Sequence, residues 1–149
     1  MPDNTGRVQR ARGRRQALRS AMMGLEAASA APVAKDGWFE HLAEALDHLT
    51  ITFNEHVEMV EGENGLLDEI KEIAPQLQSE MDQMHTEHRE IHTRLDSIKT
   101  SVKDASATPD ASGEIRHQVR NLLSSLAGHR QRGADLVYDA YNVDISVGD

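Results

Sequence analysis

Cysteine is absent from the 149-residue chain, and aromatic residues make up only 3% of it. Without thiols the protein has no disulfide bond, iron–sulfur cluster, thiolate zinc site or cysteine nucleophile. Histidine and carboxylate side chains are then the only plausible metal ligands. With so few aromatic rings, the core must consist mainly of leucine, isoleucine, valine, methionine and alanine. The length predicts a single domain over residues 1–149.

Long apolar runs, glycine-rich phosphate loops and nucleophile motifs are also missing. No apolar run approaches the roughly 20 residues that span a membrane, so we expect no membrane insertion. Residues 14–32 resemble a secretion signal, but Arg19 and Glu26 interrupt the apolar part, so we expect a cytoplasmic protein. The missing motifs give no support to hydrolase chemistry, and the sequence leaves open whether the protein is an enzyme.

The formal net charge of −9 is unevenly distributed along the chain. Residues 1–19 hold six arginines and one aspartate, whereas the remainder holds 10 basic and 24 acidic residues. Because an acidic body disfavours contact with nucleic acid, we do not expect nucleic acid as a partner. The basic arm 1–19 either lies against the acidic body or binds an acidic or phosphate-bearing partner, and any protein partner stays open.

Apolar residues recur at alternating intervals of three and four along four segments, which predicts amphipathic helices. The predicted helices cover about residues 6–31, 38–61, 76–103 and 114–141. We expect Asp36 to cap the second helix, a short amphipathic piece over 66–74, and a tail over 142–149. Mostly short connections between the helices predict an all-α, up-down-up-down four-helix bundle.

Three of the eight histidines lie on the apolar stripes of three different helices. They are His56, His88 and His129. His92 follows His88 by four residues and shares its helix face. An unpaired polar group in a core costs roughly 1–3 kcal/mol, so these rings need partners. They either bind a metal, with iron or manganese favoured and zinc possible, or form hydrogen bonds with carboxylates and with one another.

The order of histidines along the helices resembles that of hemerythrin-like domains, also called HHE cation-binding domains. The resemblance covers nearly the whole chain. His56 matches the family's second-helix ligand, His88 and His92 match the HxxxH pair of the third helix in the context EHREIH, and His129 matches the fourth-helix ligand. The resemblance implies a hemerythrin-like fold and a non-haem iron protein with one or two ions. Such a protein would bind or sense oxygen, another small diatomic ligand such as nitric oxide, or peroxide.

The two acids of the implied site depart from the family pattern. Glu61 stands five residues after His56, where the family has its carboxylate ligand four residues on. Asp135 stands six residues after His129, where the family has four or five. Glu61 and Asp135 are nevertheless the carboxylates that the resemblance implies as ligands.

The first helix carries no histidine, and its apolar stripe includes Arg15 instead. A guanidinium stays protonated and is a poor metal ligand. The alternative interpretation is therefore a metal-free, degenerate bundle of the same fold, in which Arg15 pairs with Glu61 or Asp135. Its role would be protein interaction or structure.

Two glycines lie within the predicted fourth helix, Gly128 beside His129 and Gly133 one turn further on. A glycine inside a helix costs roughly 1 kcal/mol relative to alanine. We interpret both as sites of close approach by a ligand, a metal or a neighbouring helix.

Overall fold

The computed structural model describes residues 4–34, 36–105 and 109–147. Within these ranges the chain forms four long α-helices and one short one, with no strand. They are α1 (Asn4–Ala30), α2 (Trp38–Glu61), α3 (Leu66–Ile73), α4 (Gln78–Ala105) and α5 (Ser112–Val147), with 3₁₀ turns at Pro75–Leu77 and Pro109–Ala111. The all-α prediction is confirmed for the described part of the chain.

The bounds of the long helices agree with the predictions to within two residues, except at the end of α5. α5 continues to Val147, beyond the predicted end at residue 141. Residues 142–147 are therefore helical, whereas 148–149, like residues 1–3 of the basic arm, lie outside the described residues.

The cap predicted for α2 is wrong. Gly37, not Asp36, occupies the N-cap position, with φ of 83°, and no side chain caps the helix. The backbone oxygen of Gly37 accepts a hydrogen bond from the amide of His41 at 2.9 Å. Glycine adopts this left-handed conformation at little cost, so the chain enters α2 through backbone geometry alone.

The long helices pack as a bundle in which α1 contacts α2 and α5, and α4 contacts the same two helices. Most apolar side chains collect in a cluster that we call the large core, to which all four long helices contribute. Its fully buried members include Leu18, Leu25, Leu42, Leu46, Leu49, Phe53, Ile91, Leu95, Ile115, Leu122 and Leu126. Full burial of each such side chain contributes about 1.5–3 kcal/mol, so these residues dominate the stability of the fold.

A second apolar cluster, the small core, lies where α3 packs against α2 and α5. It consists of Val60, Leu67, Ile70, Ala74, Met81, Met84, Leu136 and Ala140. The predicted short piece over 66–74 is confirmed as α3, which ends at Ile73 before Pro75. In the ranges that the structure describes, none of the helices combines the length and hydropathy needed to cross a membrane.

Arg15 does not extend the apolar stripe of α1 as predicted. Leu18 and Leu25 of that stripe are buried, but Arg15 is exposed. Its neighbour Arg14 donates a hydrogen bond from Nη1 to the backbone oxygen of Glu55 on α2, at 3.4 Å. Because a buried charge without a partner is costly, the guanidinium of Arg15 stays in solvent.

Candidate metal centre

A layer of three histidines separates the large core from the small core. We call it the histidine layer; it consists of His56 from α2, His88 from α4 and His129 from α5. One ligand nitrogen from each ring lies within 4.8 Å of the other two. In the described residues no other group of three or more histidine or acidic side chains meets this spacing.

Helical spacing explains why the three rings meet at one level. Each histidine is separated by three residues from a buried residue of the large core and by four or seven from one of the small core. The flanking residues of the large core are Phe53, Ile91 and Leu126, and those of the small core are Val60, Met84 and Leu136. Since three, four and seven residues return to the same helix face, all three rings point into the bundle.

The rings of His56 and His129 are joined by a hydrogen bond between their Nε2 atoms, which are 3.2 Å apart, as expected for histidines that pair with one another. Two nitrogens that share one metal ion at about 2.1 Å each can be at most about 4.2 Å apart, so this spacing suits a shared ion. The ring centroid of His88 lies 5.2 Å from that of His56 and 4.6 Å from that of His129. The three imidazoles therefore surround a common point.

A buried carboxylate orients the ring of His129. Glu87 of α4 is only 8% exposed, and its Oε1 accepts a hydrogen bond from Nδ1 of His129 at 2.8 Å. Its Oε2 accepts hydrogen bonds from Arg132 Nε at 2.5 Å and from Gln83 Nε2 at 3.2 Å. With the proton held on Nδ1, the lone pair of His129 Nε2 is left for the centre of the layer.

His88 is the least satisfied group in the layer. Its side chain is 1% exposed, and neither ring nitrogen has a hydrogen-bond partner. Nδ1 lies 3.3 Å from Oε2 of Glu61, but the contact lacks hydrogen-bond geometry. The other oxygen of Glu61 contacts Nδ1 of His85. A buried polar atom without a partner costs about 1–3 kcal/mol, and a ligand on Nε2 would remove that cost.

Burial keeps the imidazoles of the layer neutral. It lowers the pKa of His88 to about 3, with further contributions from the neighbouring histidines, His129 first among them. It lowers the pKa of His56 to about 4, with smaller contributions from His129 and Arg130. The pKa of His129 is also lowered by burial, although the hydrogen bond to Glu87 opposes the shift. Near neutral pH the rings therefore carry lone pairs that can bind a metal.

The remaining predicted ligands lie outside the histidine layer. His92 is half-buried and packs edge-on against Phe53, with ring centroids 4.9 Å apart. Glu61 approaches Nδ1 of His88 rather than the centre of the layer. Asp135 is exposed and accepts a hydrogen bond from Gln131 at 3.0 Å. His92, Glu61 and Asp135 therefore do not lie in the histidine layer.

Glu87 is the residue that sequence reasoning missed. It stands three residues after Met84 and four before Ile91, both of which are buried. These intervals place Glu87 on the margin of the apolar stripe of α4. An acidic side chain at such a position is partly buried and needs a polar partner. This need could have identified Glu87 from the sequence.

Gly128 makes room for the guanidinium of Arg132. A Cβ atom at this position would lie 3.1 Å from Nη1 and 3.2 Å from Nη2 of Arg132. The predicted close approach by a ligand, a metal or a neighbouring helix is therefore wrong at Gly128, where the neighbour is a side chain of the same helix. At Gly133 a Cβ would meet only Sδ of Met84 at 4.0 Å, an ordinary contact.

A scan of family models and searches of curated proteins and solved structures give no match to this chain. The hemerythrin-like resemblance therefore stays a prediction from the order of the histidines. The pairing of Arg15 with Glu61 or Asp135 finds no support in the contacts, because Arg15 is exposed while Glu61 contacts His85 and His88.

Proposed function

We propose that the protein binds a divalent first-row transition-metal ion in the histidine layer, with iron as the expected metal. The observation that carries this proposal is the meeting of three buried or half-buried imidazoles, each from a different helix. One of them, His88, has no hydrogen-bond partner on either ring nitrogen. Imidazole ligands without thiolate suit iron, zinc, copper or nickel, and iron is the metal that the hemerythrin-like resemblance implies. The ligands would be His56, His88 and His129.

Two carboxylates beside the layer support metal binding. A histidine that binds a metal through one nitrogen usually donates its other N–H to a carboxylate, a backbone oxygen or water. Glu87 accepts such a hydrogen bond from His129, and Glu61 lies 3.3 Å from Nδ1 of His88. We infer that both acids support ligands and are not ligands themselves. With Asp135 exposed as well, the arrangement favours one ion over two.

The contacts between helices support the hemerythrin-like, up-down-up-down arrangement. Arg14, early in α1, contacts Glu55, late in α2, and Lys99, late in α4, pairs with Asp47, in the first half of α2. Arg116, near the start of α5, donates hydrogen bonds to backbone oxygens near the end of α1.

Three histidines leave coordination positions open, so a bound ferrous ion would supply a site for oxygen, nitric oxide or peroxide.

Metal content tests the proposal directly. Untagged protein from iron-supplemented medium is analysed by plasma mass spectrometry for iron, manganese and zinc, before and after anaerobic addition of ferrous ion. We expect about one ion per chain, as for a single site that is held by three protein ligands. His88→Ala and His129→Ala should remove the ion. His48→Ala on α2 and His117→Ala on α5 are matched controls, because both side chains are exposed.

Two results would contradict the proposal. Equal metal content in His88→Ala and His48→Ala would show that the ion lies elsewhere. No bound metal after reconstitution would leave the metal-free bundle, with an interaction or structural role, as the better account of the fold.

A further inference from the structure

The carboxylate of Glu87 connects the buried histidine layer to an exposed arginine. It receives three hydrogen bonds, from His129, Arg132 and Gln83. The side chain of Arg132 is 44% exposed, whereas that of His129 is 2% exposed. Glu87 therefore lies between a solvent-accessible cation and a buried ring of the histidine layer.

This contact decides which nitrogen of His129 carries the proton. A carboxylate that is paired with a guanidinium accepts hydrogen bonds and does not donate them. The proton of neutral His129 must then stay on Nδ1, 2.8 Å from Glu87 Oε1. The lone pair stays on Nε2, which faces Nε2 of His56 at 3.2 Å.

We propose that Glu87, fixed by Arg132, is the positioning residue that holds His129 in the Nδ1–H form with Nε2 directed at the metal. The part that concerns metal affinity rests on the proposed function, whereas the tautomer is a property of the metal-free protein. Gly128 contributes to this arrangement, because the absence of a side chain there leaves room for the guanidinium of Arg132 beside α5. Neither Glu87 nor Arg132 touches the metal in this arrangement.

The variants separate the hydrogen bond from the charge. Glu87→Leu removes both, Glu87→Gln keeps an acceptor for His129 without the charge, and Arg132→Met removes the outer partner. Glu90→Gln on α4 and Arg120→Gln on α5 are matched controls, because both side chains are exposed. Circular dichroism confirms that each variant is folded, and Glu87→Ala, which also removes both the acceptor and the charge, serves if Glu87→Leu does not fold.

Two measurements are made on each variant. Long-range ¹H–¹⁵N NMR of metal-free protein above pH 7 reports the tautomer of His129, which should be Nδ1–H in the wild type and mixed in Glu87→Leu. Anaerobic calorimetric titration with ferrous ion reports affinity, which should fall about 10–100-fold in Glu87→Leu. Glu87→Gln should keep the tautomer and recover part of the affinity. Arg132→Met should keep the tautomer with a loss below about tenfold.

The outcomes distinguish the two proposals. An unchanged tautomer in Glu87→Leu overturns the positioning role, and so does a changed tautomer with unchanged affinity. A wild type that shows the Nδ1–H form but binds no ferrous ion overturns the proposed function and leaves the positioning of His129 standing.

Discussion

Two neighbouring layers of the bundle are built from the same three helices but from opposite chemistry. One contains Phe53, Ile91 and Leu126, which are between 0% and 2% exposed, and the other contains the three histidines of the histidine layer. The first layer has no polar atom to satisfy. In the second, both ring nitrogens of His88 lack a hydrogen-bond partner. Positions on the same helix faces thus serve stability in one layer, whereas one turn away they carry the histidines of the proposed metal site, at a cost to the metal-free fold.

The largest expected effect is in the apolar layer. Phe53→Ala should lower the free energy of unfolding by about 3–5 kcal/mol, because it opens a cavity in the large core. Phe53 also packs against the rings of His56, His88 and His92, so the cavity would lie directly beside the histidine layer. Urea denaturation of metal-free protein measures the change. A loss below about 1 kcal/mol would mean that this layer is not closely packed.

The histidine layer should respond to substitution with the opposite sign. His88→Leu should raise the free energy of unfolding of the metal-free protein by about 1–3 kcal/mol, because it removes two buried nitrogens without partners. The same variant should bind no metal. Denaturation in the presence of a chelator measures the first effect, and metal analysis measures the second. A destabilised metal-free His88→Leu would mean that the imidazole is satisfied by groups or water within the bundle.

Acid should destabilise the histidine layer selectively. An unfolded histidine has its pKa near 6.5, whereas those of folded His56 and His88 lie at about 4 and about 3. As the pH falls from about 6.5 to about 4, the unfolded chain binds protons that the folded chain does not. Each of these histidines then lowers the free energy of unfolding by up to about 1.4 kcal/mol per pH unit.

Urea denaturation of chelator-treated protein between pH 7.5 and 4.5 measures this slope. His88→Leu should show a shallower slope than the wild type, and the exposed-site control His48→Ala should not. Equal slopes in the wild type and His88→Leu would contradict the neutral, buried state of His88.

The smallest expected effect lies at the margin of the histidine layer. Gly128→Ala should stabilise α5 by roughly 0.5–1 kcal/mol through helix propensity. The new Cβ would press on the guanidinium of Arg132, which can shift by a few tenths of an ångström because it ends a flexible side chain. Thermal unfolding measures the gain. Gly133→Ala is the control, because it has similar helix propensity but lies 4.0 Å from Met84 Sδ and clear of Arg132.

Periodicity was sufficient to predict the helices and the meeting of the three histidines. Positions that share a helix face are fixed by backbone geometry, so His56, His88 and His129 could be placed on the stripes without knowledge of the packing. The side-chain contacts could not be predicted in this way. Glu61 reaches α4 from the last residue of α2, and Glu87 accepts hydrogen bonds from a helix that is distant in sequence.

Arg15 shows the limit of the same reasoning. Its spacing placed it on the stripe of α1, but the cost of burying an unpaired charge keeps it exposed. The N-cap of α2 shows a second limit, because a glycine with positive φ can begin a helix without the side-chain cap that Asp36 offered. Spacing predicts the face on which a residue lies, whereas charge and local backbone geometry decide whether the side chain is buried.

The small core has a consequence for how an ion enters a buried site. Its side chains come from the last turns of α2, the first turns of α4, the C-terminal part of α5 and the eight-residue α3. Local unfolding costs least at helix ends and in short helices, and most in a closely packed core. The small core is therefore the side from which transient opening would expose the histidines to water while the large core keeps the bundle assembled. In this fold the layer proposed to bind metal lies beside the end expected to open most easily, so the rate of metal uptake and release would follow the stability of α3.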